Sequence, residues 1–174
     1  QHSDRTLFIS IQIYISSSDL NSTELIRYTK TEFDNKFFFN LAGSWKGGII
    51  HRIQIISNTE FQQGGLFLEE MPTGYLGGFS HGIGTGVLYD KRNNTLNPAP
   101  GSSLVNVNIS TFNNIFGSDF QFTRFEVDLR HYLPIFRSQI LALQAKGILN
   151  SGDPPFTLSG NLGGQSILRG YHKN

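Results

Sequence analysis

Residues 124–130 read Arg-Phe-Glu-Val-Asp-Leu-Arg, and their strict alternation indicates the fold class. Side chains of a β-strand point alternately to the two faces of its sheet, so the apolar members of this run share one face. The opposite face carries four charges in succession, at Arg124, Glu126, Asp128 and Arg130. A charge buried in an apolar interior needs a partner to offset its desolvation. The charged face is therefore expected to meet water.

The same alternation recurs along the chain. Leu or Ile occupies every odd position of residues 7–15, and a second alternating run ends at Leu41. Residues 45–48, Trp-Lys-Gly-Gly, are predicted to form a hairpin turn before a third run that reaches Ile55. Residues 21–34 are polar and leave two interpretations open, a loop or a distorted pair of strands. The later runs cover residues 79–90 and 105–110.

One predicted strand carries glycine at alternate positions. Gly82, Gly84 and Gly86 fall on the same face as Ser80 and Asp90. Glycine has no side chain beyond hydrogen, so these positions are predicted to allow close backbone approach or bending of the strand.

The composition agrees with strands and excludes several classes of function. The chain has 174 residues, with 15 Phe and 19 Gly, which favours an all-β fold. Its 14 basic and 13 acidic residues give no electrostatic reason to expect nucleic acid as a partner. No apolar run approaches the roughly 20 residues of a membrane-spanning helix. A membrane role would therefore require a barrel.

The length of the predicted strands favours that barrel. They run to about 10 to 13 residues, whereas about 9 to 11 tilted residues cross a bilayer and about 5 to 6 are typical of soluble sheets. Long strands with one apolar face and one polar or glycine face are typical of an antiparallel, up-and-down transmembrane β-barrel. A soluble β-sandwich that serves as a binding module remains an alternative.

The sequence lacks the patterns of catalytic and metal sites. Its five histidines show no metal-ligand spacing, and there is no cysteine, so neither a metal nor a cofactor is predicted. Residues 82–86 superficially resemble a nucleotide loop, but no helix and no Lys-Ser/Thr pair follow them. The paired carboxylates come with no nucleophile. The chain is therefore not expected to be an enzyme.

Several motifs in a fixed order carry a resemblance to a known family. Asp90 and Arg92 belong to an Asp-Lys-Arg-Asn run that is followed by Asn97-Pro98 and Gly101. Residues 127–134 read Val-Asp-Leu-Arg-His-Tyr-Leu-Pro, and Gly163-Gly164 precede the closing triplet Arg169, Gly170 and Tyr171. This series resembles the bacterial surface antigen superfamily of outer-membrane barrels, which includes the BamA and TamA assembly factors and the FhaC-type secretion pores.

The resemblance implies a fold, a site and a cellular location. In that family, a loop with the Arg-Gly-aromatic triplet folds back into the barrel lumen, so Arg169, Gly170 and Tyr171 would anchor the loop there and Gly163 and Gly164 would form its approach. The charges on the 124–130 strand and the three glycines would face the lumen, and Asp90 and Arg92 would mark a strand end. The location implied is the bacterial outer membrane.

The resemblance also implies partners and a function. Unfolded outer-membrane or secreted proteins would be the substrates. Accessory assembly subunits and outer-membrane lipid would be the other partners. The activity would be the insertion or export of proteins or lipids. Residues 1–174 are expected to form one partial barrel of about seven or eight strands. The expected domain ends at the tip of the loop, without its C-terminal strands and without a periplasmic repeat domain. A passive or structural pore without an assembly role is the alternative within the same fold.

Overall fold

The computed structural model describes residues 6–17, 26–61, 71–95, 97–136 and 139–158. Seven strands make up most of this part. In chain order they are β1 (Thr6–Ser17), β2 (Ile26–Ala42), β3 (Trp45–Phe61), β4 (Gly78–Asp90), β5 (Ser103–Phe112), β6 (Phe122–Phe136) and β7 (Gln139–Gly152). The other regular elements described are two 3-10 turns, Asn114–Phe116 and Phe156–Leu158.

All seven strands belong to one sheet, and each pairs with its neighbours in chain order. Every pairing is antiparallel. The expected all-β, up-and-down architecture is confirmed. In the described residues β1 and β7 do not pair with each other, so the sheet is open, as in part of a barrel. A second sheet packed against the first, which a sandwich needs, is not present in the described ranges.

The connections differ between the two ends of the sheet. Two residues separate β2 from β3, and two separate β6 from β7. Both connections lie at the same end of the sheet as residues 91–102, which join β4 to β5, and we call this end the turn end. Residues 18–25, 62–77 and 113–121 connect strands at the opposite end, which we call the loop end. The chain also leaves β7 at the loop end.

The hairpin turn between β2 and β3 lies at residues 43–44, so the prediction of a turn at 45–48 was wrong. Gly43 has a φ of +56°, which suits glycine at a tight turn. Gly48 lies inside β3 opposite Phe38, and a Cβ there would stand 2.3 Å from the Phe37 carbonyl oxygen. This glycine therefore permits a close approach of two strands. Residues 21–34, for which a loop and a pair of strands were both possible, belong largely to a strand. The structure begins β2 at Ile26.

The two faces of the sheet have opposite character. The polar face carries the even-numbered side chains of β2 to β7, and several polar members are buried: Lys30, Arg52, Gln54, Ser80, Asn108 and Ser110. The apolar face carries the odd-numbered side chains, and its large members are exposed, among them Phe37, Phe39, Ile49, Ile109, Phe125, Leu143 and Leu149. A water-soluble sheet has the reverse arrangement.

Candidate functional site

The polar face holds a chain of ion pairs centred on Arg52. Its Nε lies 3.4 Å from Asp34 Oδ1 on β2, and its guanidinium also donates to Glu126 Oε2 on β6. Glu126 accepts a second bond of 2.9 Å from Arg124 Nε, and Lys36 Nζ lies 3.4 Å from Asp34 Oδ2. Two carboxylates are thus each shared by two cations. This sharing offsets the desolvation of an arginine side chain that is only 9% exposed.

The reach of Arg52 shows which way the sheet curves. β4 and β5 lie between β3 and β6, and three strand spacings amount to about 14 Å in a flat sheet. Arg52 and Glu126 meet because the sheet bends toward its polar face. The polar face is therefore the concave one, as the lumen side of a barrel would be.

Arg124 also holds the segment that follows β7. Its Nη1 donates to the Leu158 carbonyl oxygen at 2.7 Å, and Asn150 Nδ2 donates to the same oxygen at 3.0 Å. Gln54 Nε2 donates to Thr157 Oγ1 at 3.1 Å. Strands β3, β6 and β7 therefore all bind residues 153–158, which we call the anchor segment, on the concave side.

Apolar packing at the loop end reinforces these bonds. Leu158 is buried in a cluster with Phe112, Phe120 and Phe122. The rings of Phe112 and Phe122 stack with centroids 4.1 Å apart. The anchor segment is therefore fixed by hydrophobic contacts as well as by polar bonds.

The connections between β3 and β4 and between β5 and β6 also form hydrogen bonds with the anchor segment. Phe156 N donates to the Thr73 carbonyl oxygen at 2.9 Å, and Asp153 N donates to the Gln121 carbonyl oxygen at 3.1 Å. Pro155 is fully buried. A Cβ on Gly74 would lie 2.8 Å from the Pro155 ring, so the glycine allows this contact.

A small open recess of about 50 Å³ lies beside the anchor segment. Its lining includes Glu32, Asp34, Arg52, Arg124 and Glu126. Each of these charged groups is already paired, Glu32 with Lys30 and the others among themselves, so the recess presents a charge-neutralised polar surface.

Asp128 and Arg130 form a second, separate pair on β6. Arg130 donates to the two Asp128 oxygens at 3.0 and 2.7 Å, and Gln144 on β7 donates to Asp128 at 3.2 Å. All four charges predicted on this strand lie on the polar face. Only Arg124 and Glu126 belong to the network around the anchor segment.

The three predicted glycines lie on the concave face of β4, where side chains of β5 cover them. A Cβ on Gly82 would stand 2.7 Å from the Phe112 ring, and one on Gly86 would stand 2.2 Å from Asn108 Oδ1. At Gly84 the nearest atom would be the Ile109 carbonyl oxygen, also at 2.2 Å. The space left by these glycines thus accommodates β5 in the curved sheet.

Asp90 and Arg92 organise the connection at the turn end. Arg92 donates to Asp90 through its backbone N at 3.0 Å, through Nε at 2.9 Å and through Nη2 at 2.8 Å. Downstream, Asn93 Oδ1 accepts from Ala99 N at 3.0 Å, and Gly101 has a φ of +78°. The Asp-x-Arg-Asn motif therefore folds the connection between β4 and β5.

The predicted loop tip, Arg169, Gly170 and Tyr171, lies outside the described residues, as do Gly163 and Gly164. The residues that hold the anchor segment were not predicted as site residues, except Arg124. Gln54, Arg52 and Asp34 did carry a signal, because each is polar at an even position of an alternating run. Asn150 gave no comparable signal, because the residues around it, Gly-Ile-Leu-Asn-Ser-Gly at 147–152, do not alternate.

None of the helical segments in the described part of the chain has the length and apolar character of a membrane-spanning helix. Within the same ranges, no three metal-binding side chains of the His, Cys, Asp or Glu type come together.

Comparison with known proteins identifies the family. No curated protein matches the sequence. The Omp85 superfamily domain matches residues 79–174, which is more than half of the chain. The match includes β5, β6, β7, nearly all of β4 and the anchor segment, and it confirms the resemblance seen in the sequence motifs. This chain belongs to the Omp85 superfamily, the superfamily of outer-membrane protein assembly and translocation factors.

Proposed function

We propose that this chain is part of a barrel that inserts or exports proteins, or lipids, at the bacterial outer membrane. Omp85 proteins sit in that membrane, and the two faces of the sheet support the same location for this one. Leu149 is 69% exposed and Phe39 47% exposed on the apolar face. An apolar surface that extends over six strands is unfavourable in water and favourable against lipid tails.

The strand connections support an orientation. In bacterial outer-membrane barrels, the short turns face the periplasm and the longer loops face outward. The two-residue connections of this chain lie at the turn end. The loop end, with the anchor segment, would then face the exterior of the cell.

The observation that carries the proposal is the binding of Leu158 by Arg124 and Asn150. A chain that leaves β7 for the exterior is turned back onto the concave face, and the Arg169-Gly170-Tyr171 triplet follows later in the sequence. We infer that the anchor segment is the base of the lumen loop of this family. It would set where that loop enters the barrel.

The activity we propose is physical. A barrel with a weak lateral seam, supported from inside by the loop, would offer a strand edge on which an incoming unfolded chain pairs by β-augmentation. Outer-membrane or secreted proteins would be the substrates, and accessory subunits would deliver them. No cofactor and no chemical step is needed, so we do not propose an enzyme.

The test compares Arg124 and Arg130, which lie on the same strand and the same face, in the full-length protein produced in the cell. Arg124→Ala with Asn150→Ala removes both donors to Leu158, whereas Arg130→Ala breaks a pair that does not touch the anchor segment. At equal protein level, the double variant should lower the amount of other outer-membrane barrels or of secreted protein, and Arg130→Ala should not. Depletion of the whole protein should give the stronger form of the same defect.

Unchanged levels of other barrels and of secreted proteins after depletion would contradict the proposal. If the levels are unchanged and the purified protein conducts ions in a lipid bilayer, the passive barrel is favoured.

A further inference from the structure

Aromatic rings bound the apolar face of β3 and β4 at both ends. At the turn end, Trp45 and Tyr89 are paired in the register, and their ring centroids are 4.8 Å apart. At the loop end, the ring of His81 lies 6.0 Å from that of Phe79 and 6.3 Å from that of Phe116. We call these two groups the turn-end pair and the loop-end cluster. Their separation along β4 can be compared with the thickness of a bilayer once the tilt of the strands is known.

The apolar face itself shows this tilt. On β3 its outermost apolar residues are at positions 45 and 55, and on β7 they are at positions 141 and 149. The register places Ile49 and Leu149 in one row across the sheet, through β4, β5 and β6. Measured from this row, the apolar run of β7 is displaced towards the turn end by six residues at its loop-end limit and by four at its turn-end limit. The apolar band is therefore oblique to the rows of paired residues.

A bilayer core is flat, so an oblique band means that the strands cross it at an angle. A mean displacement of about five residues is about 16 Å along the strands, against about 19 Å for the four strand spacings between β3 and β7. The ratio gives a tilt of about 40°, within the range of about 35 to 45° for outer-membrane barrels. The ten residues from Tyr89 to Phe79 then cover about 33 Å along β4 and about 25 Å of height. The apolar band of outer-membrane barrels is also about 25 Å tall, and aromatic residues flank it on both sides.

We propose that the turn-end pair and the loop-end cluster contact the two lipid headgroup layers of the membrane, one on each side of an apolar core about 25 Å thick. This proposal rests on the membrane location proposed above and names the residues that meet the lipid headgroups. The ring of a tryptophan or a tyrosine packs against acyl chains while its N–H or O–H bonds to polar headgroups. Lys91 is exposed two residues after Tyr89, and its positive charge complements the lipid phosphates. Beside the loop-end cluster, Ile115 is 85% exposed, which is favourable against acyl chains and unfavourable in water.

The tilt also means that residues of one row lie at different depths in the bilayer. Ile49 lies at the middle of the apolar run of β3, and Ala145 lies at the middle of that of β7. Both are therefore placed near the centre of the bilayer. Leu149 shares its row with Ile49 but lies four residues from Ala145, which is about 10 Å of height towards the loop end.

The experiment measures these depths in the full-length protein folded into phospholipid vesicles. Nitroxide labels are attached to Ile49→Cys, Ala145→Cys and Leu149→Cys, after replacement of any cysteine outside residues 1–174, and oxygen and a water-soluble nickel chelate report the depth of each label. The labels at 49 and 145 should lie at equal depth near the bilayer centre, and the label at 149 about 10 Å closer to the loop-end headgroups. Equal depths at 49 and 149 would overturn the proposal.

A second measurement needs no label and tests the turn-end pair directly. Lipids brominated next to the headgroup should quench the fluorescence of Trp45, taken as the difference between the wild type and Trp45→Phe, more strongly than lipids brominated near the chain ends. Ile49→Trp in the Trp45→Phe background is the matched control and should show the reverse order. Stronger quenching of Trp45 by the deep bromines would overturn the proposal. The expected depths hold for a passive barrel as well, so loss of the assembly role in the depletion experiment would leave them unchanged. Labels that contact no lipid at any of the three positions would overturn this proposal together with the membrane location.

Discussion

Arg52 on β3 and Glu126 on β6 form an ion pair across the concave face although two strands lie between them. Asp34 on β2 holds the same arginine from the other side. The Arg52 guanidinium thus links β2 and β3 to β6. Arg124 donates both to Glu126 and to the Leu158 carbonyl oxygen, so the network extends to the anchor segment. The curvature of the sheet and the position of the anchor segment therefore depend on one network.

Arg52→Met should destabilise the fold because it leaves Glu126 and Asp34 with fewer partners on a buried surface. Removing one partner of a buried pair costs about 3 to 5 kcal/mol, and we expect about 3 kcal/mol since Arg124 and Lys36 remain. Urea unfolding of the protein refolded into lipid vesicles would measure the loss. Arg130→Met is the control, because that side chain is 35% exposed and its pair should contribute at most about 1 kcal/mol.

A double-mutant cycle would isolate the pair itself. Arg52→Met and Glu126→Gln should be non-additive by at least about 1 kcal/mol, in the range seen for directly bonded residues. Additivity of the two substitutions would show that the two side chains do not act together.

Gly84→Ala should destabilise the sheet by about 1 to 3 kcal/mol, the usual cost of overpacking. Its Cβ would stand 2.2 Å from the Ile109 carbonyl oxygen, which is backbone and cannot move away without disturbing β5. Gly147→Ala on β7 is the matched substitution, because no atom lies within 4 Å of its Cβ position. It should change the unfolding free energy by no more than about 0.5 kcal/mol. Equal effects of the two would contradict the close packing of β4 against β5.

The alternation of single residues was enough to predict the class of fold. The run at 124–130 places its charges on one face and its apolar residues on the other, and β6 does the same. Register and curvature were not predictable, because they depend on residues far apart in the chain. Arg52 and Glu126 are 74 residues apart, and nothing local to either one indicates the other.

Glycine was the least reliable signal in the sequence. Gly47 and Gly48 resemble a turn, yet both lie inside β3, where Gly48 permits close contact with β2. The actual turn at residues 43–44 contains a single glycine. A glycine needed for close packing and a glycine needed for a turn look alike until the partner strand is known. For the same reason, the charged residues of β2 were compatible with a loop in the sequence, although in the structure they line the concave face of the sheet.

Arg169→Ala should loosen the loop that follows the anchor segment, if Arg169 is the lumen anchor that the family resemblance implies. The substitution removes a guanidinium from a polar lumen and leaves the lipid-facing surface intact, so strand content by circular dichroism should not change. Limited proteolysis of the folded protein should cut the loop faster than in the wild type. Unaltered cleavage would rule out the anchoring role.

Ile109→Lys tests whether the apolar face lies against lipid. Ile109 is 45% exposed and points away from the concave face of β5. In water, a lysine at such a position would change stability by no more than about 0.5 kcal/mol, whereas on the lipid face of a barrel it should cost about 2 to 4 kcal/mol near the bilayer midplane. Gln144→Lys places the same charge on the concave face of β7, where water reaches it, and should be tolerated. Folding efficiency in lipid vesicles and the free energy of unfolding would be measured for both variants. If Ile109→Lys folds as well as Gln144→Lys, the exposed apolar face does not contact lipid.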